Sequence, residues 1–366
     1  MKILHIHPSM AGGGIESMIC YLANEMSKTE EVTVCSIFEP TSSDIFWEKL
    51  DNTVIKKSLG KRRAGLSFKI LWKIFDFIRR GDYDVVNLHG MFYYYVVAVL
   101  LLHKKVTFFY TIHSDAKKEN TKWDKRLFGI KRLCFVKKWT RPITISDASR
   151  DSFSELYNTT STVIYNGVPR PYLTNEDCVS RYKITEETKV FIHAGRISQP
   201  KNQVVLCKVF QRLINDGENV VLLIAGSRQS DEIFAELESY FSNRIVYLGQ
   251  REDVPQLMAY SHAMCLPSIW EGLPITLLES LSVGCIPICS SVGGIPNVIE
   301  SGKNGFLSKT SSEEDYYETM KEFLALSQEN LCLMRDVCRT SFAKYDIINT
   351  SIFYMRAYET EMAREY

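Results

Sequence analysis

Short apolar runs separated by longer amphipathic stretches set the pattern of this chain. In the first half, Lys2–His7, Glu31–Ile37, Asp84–Leu88, Val106–Ile112, Pro142–Ile145 and Thr162–Tyr165 read as strands. Between the first two, Ile15–Ser27 carries apolar residues at helical spacing. The second half repeats the plan, with strands at Val190–His193, Val220–Ala225, Ile245–Leu248, Ala263–Leu266 and Ile286–Cys289. Helices are expected between them at Lys201–Asn215, Asp231–Phe241, Val254–Tyr260 and Pro274–Val283. Glu313–Leu326, Glu329–Phe342 and Ile347–Glu365 read as terminal helices. Strands alternating with helices predict an α/β protein of two Rossmann-like parallel sheets, each covered by helices on both faces. Asn166-Gly-Val-Pro-Arg-Pro171 is dense in turn formers and separates residues 1–168 from residues 172–345.

Composition narrows the class without naming it. A chain of 366 residues that is 45% hydrophobic and 24% charged has the balance of an ordinary globular protein of two domains. The longest apolar run, Met91 to Leu102, is too short to span a bilayer. Ten cysteines lie scattered without metal-type spacing, and Cys207, Cys265, Cys285 and Cys289 sit in apolar runs. They read as buried thiols of a reducing compartment. Met1-Lys-Ile-Leu-His-Ile-His-Pro reads as a strand rather than a secretory leader, so a cytoplasmic protein is expected. The net charge of +1 conceals an asymmetry. Residues 1–171 hold 26 Lys and Arg against 17 Asp and Glu (+9), and residues 172–366 hold 18 against 26 (−8).

The chemistry concentrates in Ser268-Ile-Trp-Glu271-Gly272-Leu273-Pro274-Ile275-Thr-Leu-Leu-Glu279. An apolar strand precedes it. Pro274 suits the first turn of a helix, where its missing N–H is no loss. The element is then a loop carrying Glu271 and a helix carrying Glu279 in its second turn. The helix start offers the N–H groups of Leu273, Ile275 and Thr276 together with a partial positive charge, an anion site. Carboxylates beside it repel phosphate but accept hydrogen bonds from hydroxyls, so the pocket suits a sugar nucleotide. Upstream, Gly195-Arg196-Ile-Ser-Gln-Pro-Lys201-Asn202 ends a strand, and Arg196 and Lys201 can clamp a diphosphate across the loop.

Glutamate, seven residues, glutamate, with Pro267-Ser268 before it and Gly284-Cys-Ile-Pro287 and Gly293-Gly-Ile-Pro296 after it, resembles the signature of retaining glycosyltransferases of the GT-B fold, family 4 in particular. The resemblance implies two domains facing a central cleft, with the tail 347–366 crossing back onto the first. It makes residues 1–168 the acceptor-side domain and 172–345 the nucleotide-sugar-binding domain. It further implies that Glu271 holds donor-sugar hydroxyls, that Glu279 holds the ribose, and that Arg196, Lys201, Gly272 and the helix-start amides stabilise the departing diphosphate. His113, ending the strand in Thr111-Ile-His-Ser-Asp115, falls where the family lines the donor sugar, and Gly13 and Gly14 of the Gly12-Gly-Gly14 turn face the donor diphosphate and the acceptor. His89 and Ser146-Asp147 are weaker candidates for the same region.

Three further features bound the partners. Asp82-Tyr-Asp84 has the form of the metal motif of the other large glycosyltransferase fold, but Gly81 before it and a buried strand after it read as a helix-to-strand turn. No other carboxylate cluster offers a divalent-metal cage, so chemistry without metal or resident cofactor is expected. Residues 56–80 combine basic charge with Phe68, Leu71, Trp72, Phe75 and Ile78 on one helical face, which suits either core packing or an anionic membrane. Nucleic acid is not expected, since no recognition motif accompanies the charge. The reading is a nucleotide-sugar-dependent transferase, UDP-linked for preference, acting on a glycan or polyprenyl-linked acceptor. A nucleotide-sugar epimerase, a dehydrogenase with Glu39 as its ribose acid, and a non-catalytic nucleotide-sugar-binding subunit are the alternatives.

Overall fold

The computed structural model describes residues 1–364 apart from 43, 64 and 66. Expectations that fall on 365 and 366 of the 347–366 tail and on 64 and 66 of the 56–80 stretch lie outside the described residues. The chain divides into two compact units, Met1–Pro169 with Asp346–Tyr366, and Arg170–Tyr345.

The first unit is built on a seven-stranded parallel sheet. Its strands are β1 (Lys2–His7), β2 (Glu31–Phe38), β3 (Ile55–Lys61), β4 (Val85–His89), β5 (Thr107–Ile112), β6 (Arg141–Thr144) and β7 (Thr162–Val163). They run in the order β3-β2-β1-β4-β5-β6-β7. The central strands are buried along nearly their whole length, which is why they read as continuous apolar runs rather than alternating ones. β3 was not expected. Only Leu59 of its seven residues is buried, and its lysines blunt an exposed sheet edge, so it reads as charged surface. The helix Phe68–Gly81 follows it. Leu71 and Ile78 enter the core, whereas Phe68 is 75% and Trp72 57% exposed, so the expected single aromatic face is split.

The last helix, Ile347–Ala363, packs on this first unit. Asn87 donates to Tyr358 Oη at 2.9 Å, and the Tyr358 ring lies 4.7 Å from that of Phe109. Thr350 Oγ1 donates to the Tyr165 carbonyl at 3.2 Å. Deep apolar burial of Tyr354 and Tyr358 fixes the helix.

The second unit repeats the topology with β8 (Lys189–Ala194), β9 (Val220–Ala225), β10 (Ile245–Gly249), β11 (Ala263–Leu266), β12 (Ile286–Ser290) and β13 (Phe306–Ser308). Their order is β10-β9-β8-β11-β12-β13, all parallel. β13 is three residues long and carries no period by which to recognise it. Both orders reverse direction beside the first strand of the unit, and ligands of such sheets bind at the carboxyl ends of strands near that point.

Candidate functional site

In the second unit two loops meet at that edge. Lys201 is not in the helix expected from Lys201 onward. It ends a short 3-10 turn, Gln199–Lys201, and Asn202 in a left-handed conformation separates the turn from the helix Gln203–Asn215. Pro274 likewise stands before the helix Ile275–Val283 rather than in its first turn, because its extended ψ ends the loop. Asn202 donates to the carbonyls of Pro267 and Ser311 at 3.1 and 2.9 Å, and Ile269 N donates to the Pro200 carbonyl at 2.8 Å. The Lys201 loop and the Glu271 loop are therefore one rigid piece.

Lys201 Nζ and Ser268 Oγ each donate to Glu271 Oε1 at 2.6 Å. With the Lys201 side chain 20% and the Glu271 side chain 10% exposed, this pair is screened little by solvent. Among the described residues Oε2 of Glu271 accepts nothing, so the carboxylate is anchored through one oxygen and open at the other. The Arg196 side chain is exposed and, among the described residues, makes no ion pair, while its carbonyl accepts from Gln203 Nε2 at 2.8 Å. Gln203 also donates to His193 Nε2 at 3.1 Å, and His193 Nδ1 donates to the Cys265 carbonyl at 2.9 Å. Burial holds the His193 imidazole neutral, at about 4. Glu279 is half-buried in the second turn of the helix. Leu273 and Ile275 are buried around the start of that helix.

Two glycines shape these loops. At Gly293 (φ +57°) a Cβ would lie 2.1 Å from the Glu271 carbonyl, and Gly294 N donates to the Gly272 carbonyl at 2.7 Å. At Gly226 (φ +156°) a Cβ would lie 1.9 Å from the Gly195 carbonyl. Only hydrogen lets the backbones approach this closely.

In the first unit the corresponding edge carries rings. His113 follows β5 and is 8% exposed. Its Nε2 lies 2.9 Å from His89 Nδ1, and His89 Nε2 lies 3.1 Å from His5 Nδ1. His7 Nδ1 donates to the His89 carbonyl at 3.3 Å, and its Nε2 lies 3.6 Å from Glu16. Burial lowers His5 to about 4 and His113 to about 3 and pushes His89 well down too, so the three rings are neutral near pH 7. The His113 amide donates to Glu119, whose carboxyl is raised above the usual carboxylate range by burial. Gly13 is extended and Gly14 opens the helix Gly14–Met26. Sequence reasoning found His113 and, more weakly, His89, but missed His5 and His7. The only signal was two histidines two apart in a strand.

Other candidates settle into structure. Ser146 caps its helix by accepting from Ser149 N at 3.1 Å, and Asp147 is held by Arg150 at 2.7 Å and by the Tyr165 hydroxyl. Asp82 turns in the left-handed region and Asp84 accepts from Lys2 N at 2.7 Å, a helix-to-strand turn. Glu39 pairs with Arg62 at 2.6 Å. Among the described residues, no group of three or more His, Cys, Asp or Glu side chains is placed to hold a metal ion.

Comparison with known proteins agrees with the architecture. Residues 12–170 match the model of Glycosyltransferase Family 4, and residues 176–334 that of Glycosyl transferases group 1. N-acetyl-alpha-D-glucosaminyl L-malate synthase of Bacillus anthracis is 29% identical over 34% of this chain and 33% of its own length. UDP-Gal:alpha-D-GlcNAc-diphosphoundecaprenol alpha-1,3-galactosyltransferase of Escherichia coli is 24% identical over 36% of this chain and 35% of its own. The chain thus spans about a third of the length of these curated relatives. The crystal structure of HepE from Anabaena in complex with UDP superposes with a TM-score of 0.81 at 19% identity, covering 98% of this chain and 100% of that one. The chain belongs to the glycosyltransferases of the GT-B fold, joining a Glycosyltransferase Family 4 region to a group 1 region.

Proposed function

We propose that the chain moves a sugar from a UDP-sugar, with retention of anomeric configuration, to a glycan or polyprenyl-linked acceptor in the assembly of a bacterial surface polysaccharide. The observation that carries this reading is Glu271, fixed through Oε1 by Lys201 and Ser268 and open at Oε2. A carboxylate anchored in this way accepts from sugar hydroxyls without swinging away. Arg196, Lys201 and the amides of Leu273 and Ile275 stabilise charge on the departing diphosphate, and Gly272 leaves room for it. Glu279 takes the ribose. In the first unit, His113 lines the sugar, and Gly13 and Gly14 lie against diphosphate and acceptor. The UDP bound to HepE and the diphosphoundecaprenol acceptor of the E. coli relative support the donor and acceptor classes.

Among the described residues no group stands out as a covalent nucleophile, and a same-face displacement guided by the leaving phosphate fits the cationic loop. We expect turnover to survive chelation of divalent metal, and no resident cofactor. Phe68 and Trp72, exposed beside Lys69, suit peripheral contact with an anionic leaflet, each cation adding about 1 kcal/mol. Among the described residues no helix is long and apolar enough to cross a membrane. A thermal-shift screen of the full chain against UDP, GDP, ADP and their sugars tests the donor class. A shift with UDP-sugars, followed by transfer with an α product from an α donor, supports the reading. Isomerised donor without transfer would identify an epimerase instead.

A further inference from the structure

The three buried rings in the first unit form a chain with a direction. Neutral imidazole has one N–H and one lone pair, so two ring-to-ring hydrogen bonds among three neutral rings allow only two arrangements. Either all three protons sit on Nδ1, each ring donating toward His113, or all three sit on Nε2, each donating toward His5. The ends decide between them. His5 Nε2 is buried and has no partner among the described residues. The second arrangement would leave an N–H donor stranded there, whereas the first leaves only a lone pair. Orphaned buried N–H groups are the rarer and costlier defect. At the other end, His113 Nδ1 bonds to no group among the described residues.

We propose that His89, backed by His5, is a positioning residue that locks His113 in the Nδ1–H tautomer, so that His113 presents a hydrogen-bond donor to the bound substrate. The inference rests on the reading that His113 lines the donor sugar, and it names what His113 offers there. An N–H suits an oxygen that accepts, whether a sugar hydroxyl or a phosphate oxygen. The lone pair of the other tautomer would suit only a hydroxyl. His89 itself, 1% exposed, acts through His113. Its carbonyl, which accepts from Tyr95 Oη at 2.9 Å and from His7 Nδ1, fixes its backbone.

The test is the 15N spectrum of the full chain labelled at histidine, at pH 7 and without substrate. Assignment comes from single His→Gln variants. The expected result is a protonated Nδ1 and unprotonated Nε2 at His113, His89 and His5 alike. Protonated Nε2 at His113, or a doubly protonated ring, overturns the proposal whatever the activity. Two variants then separate tautomer from packing. His89→Asn keeps an amide donor where Nδ1–H stood and should retain the His113 signature and most of kcat. His89→Phe should give a tautomer mixture at His113 and a roughly 10- to 100-fold fall in kcat with smaller change in KM. An unchanged His113 signature in folded His89→Phe contradicts the proposal. Should His89→Phe not fold, the unsubstituted spectrum and His89→Asn still decide. An intact Nδ1–H signature without any UDP-sugar turnover would count instead against the transferase reading.

Discussion

The two sheets share a strand order, yet their carboxyl edges carry opposite chemistry. The second unit presents ions: Lys201 against Glu271 at 2.6 Å and an exposed Arg196. The first presents neutral, buried rings, His5, His89 and His113. Topology decides where along a sheet a ligand can bind, and side chains decide what chemistry it meets there. A diphosphate is favoured by positive charge, which Lys201 and the exposed Arg196 supply at the second edge. Sugar hydroxyls are read well by neutral donors and acceptors that do not attract phosphate indiscriminately. One strand order thus carries two kinds of side-chain chemistry at its carboxyl edge.

Predictions that break this comparison run from large to small. Lys201→Ala leaves Glu271 nearly buried without its counter-charge and should cost roughly 3 kcal/mol of stability together with donor binding. Lys201→Met combined with Glu271→Gln should recover most of the stability in a denaturant titration but none of the binding. Recovery of both would make the pair merely structural. Gly293→Ala forces a methyl against the Glu271 carbonyl and should cost about 1–3 kcal/mol, read as a lowered Tm. The rings of the first unit should appear in the pH dependence. Folded pKa values of about 4 for His5 and about 3 for His113 lie below the unfolded 6.5. Above pH 6.5 they leave stability unchanged. Below it the unfolded chain binds protons that the native chain refuses, so stability falls by about 1.4 kcal/mol per ring per pH unit down to the folded value. His5→Leu should flatten that slope by about one proton; the same slope in both proteins would show that His5 is not held neutral. Smallest of all, Trp72→Ser should change stability by less than about 0.5 kcal/mol while reducing pelleting with anionic vesicles.

Much of this was legible in the sequence, for reasons that differ by element. Central strands such as β1 and β9 are buried on both faces, so they announce themselves as apolar runs. The edge strand β3 hides because its lysines face solvent, and β13 because three residues carry no period. Glu271, Arg196 and Lys201 stand out in loops and Glu279 in a helix by their spacing, but the contacts of Lys201 and Glu271 do not. That Lys201 reaches Glu271, and that Asn202 ties their loops together, depends on contacts across 65 to 70 residues. The histidine chain is less legible still. Its rings lie on β1, on β4 and just after β5, which only the sheet order makes neighbours, since β1 pairs with β4 and β4 with β5.

The central claim is that the cationic loop of the second unit binds a nucleoside diphosphate. Calorimetric titration of UDP into the full chain and into Arg196→Ala tests it most directly. The account predicts saturable binding that weakens roughly ten- to a hundred-fold in the variant at unchanged Tm. Equal affinity in both proteins, or no binding of UDP, GDP or ADP to either, would contradict it.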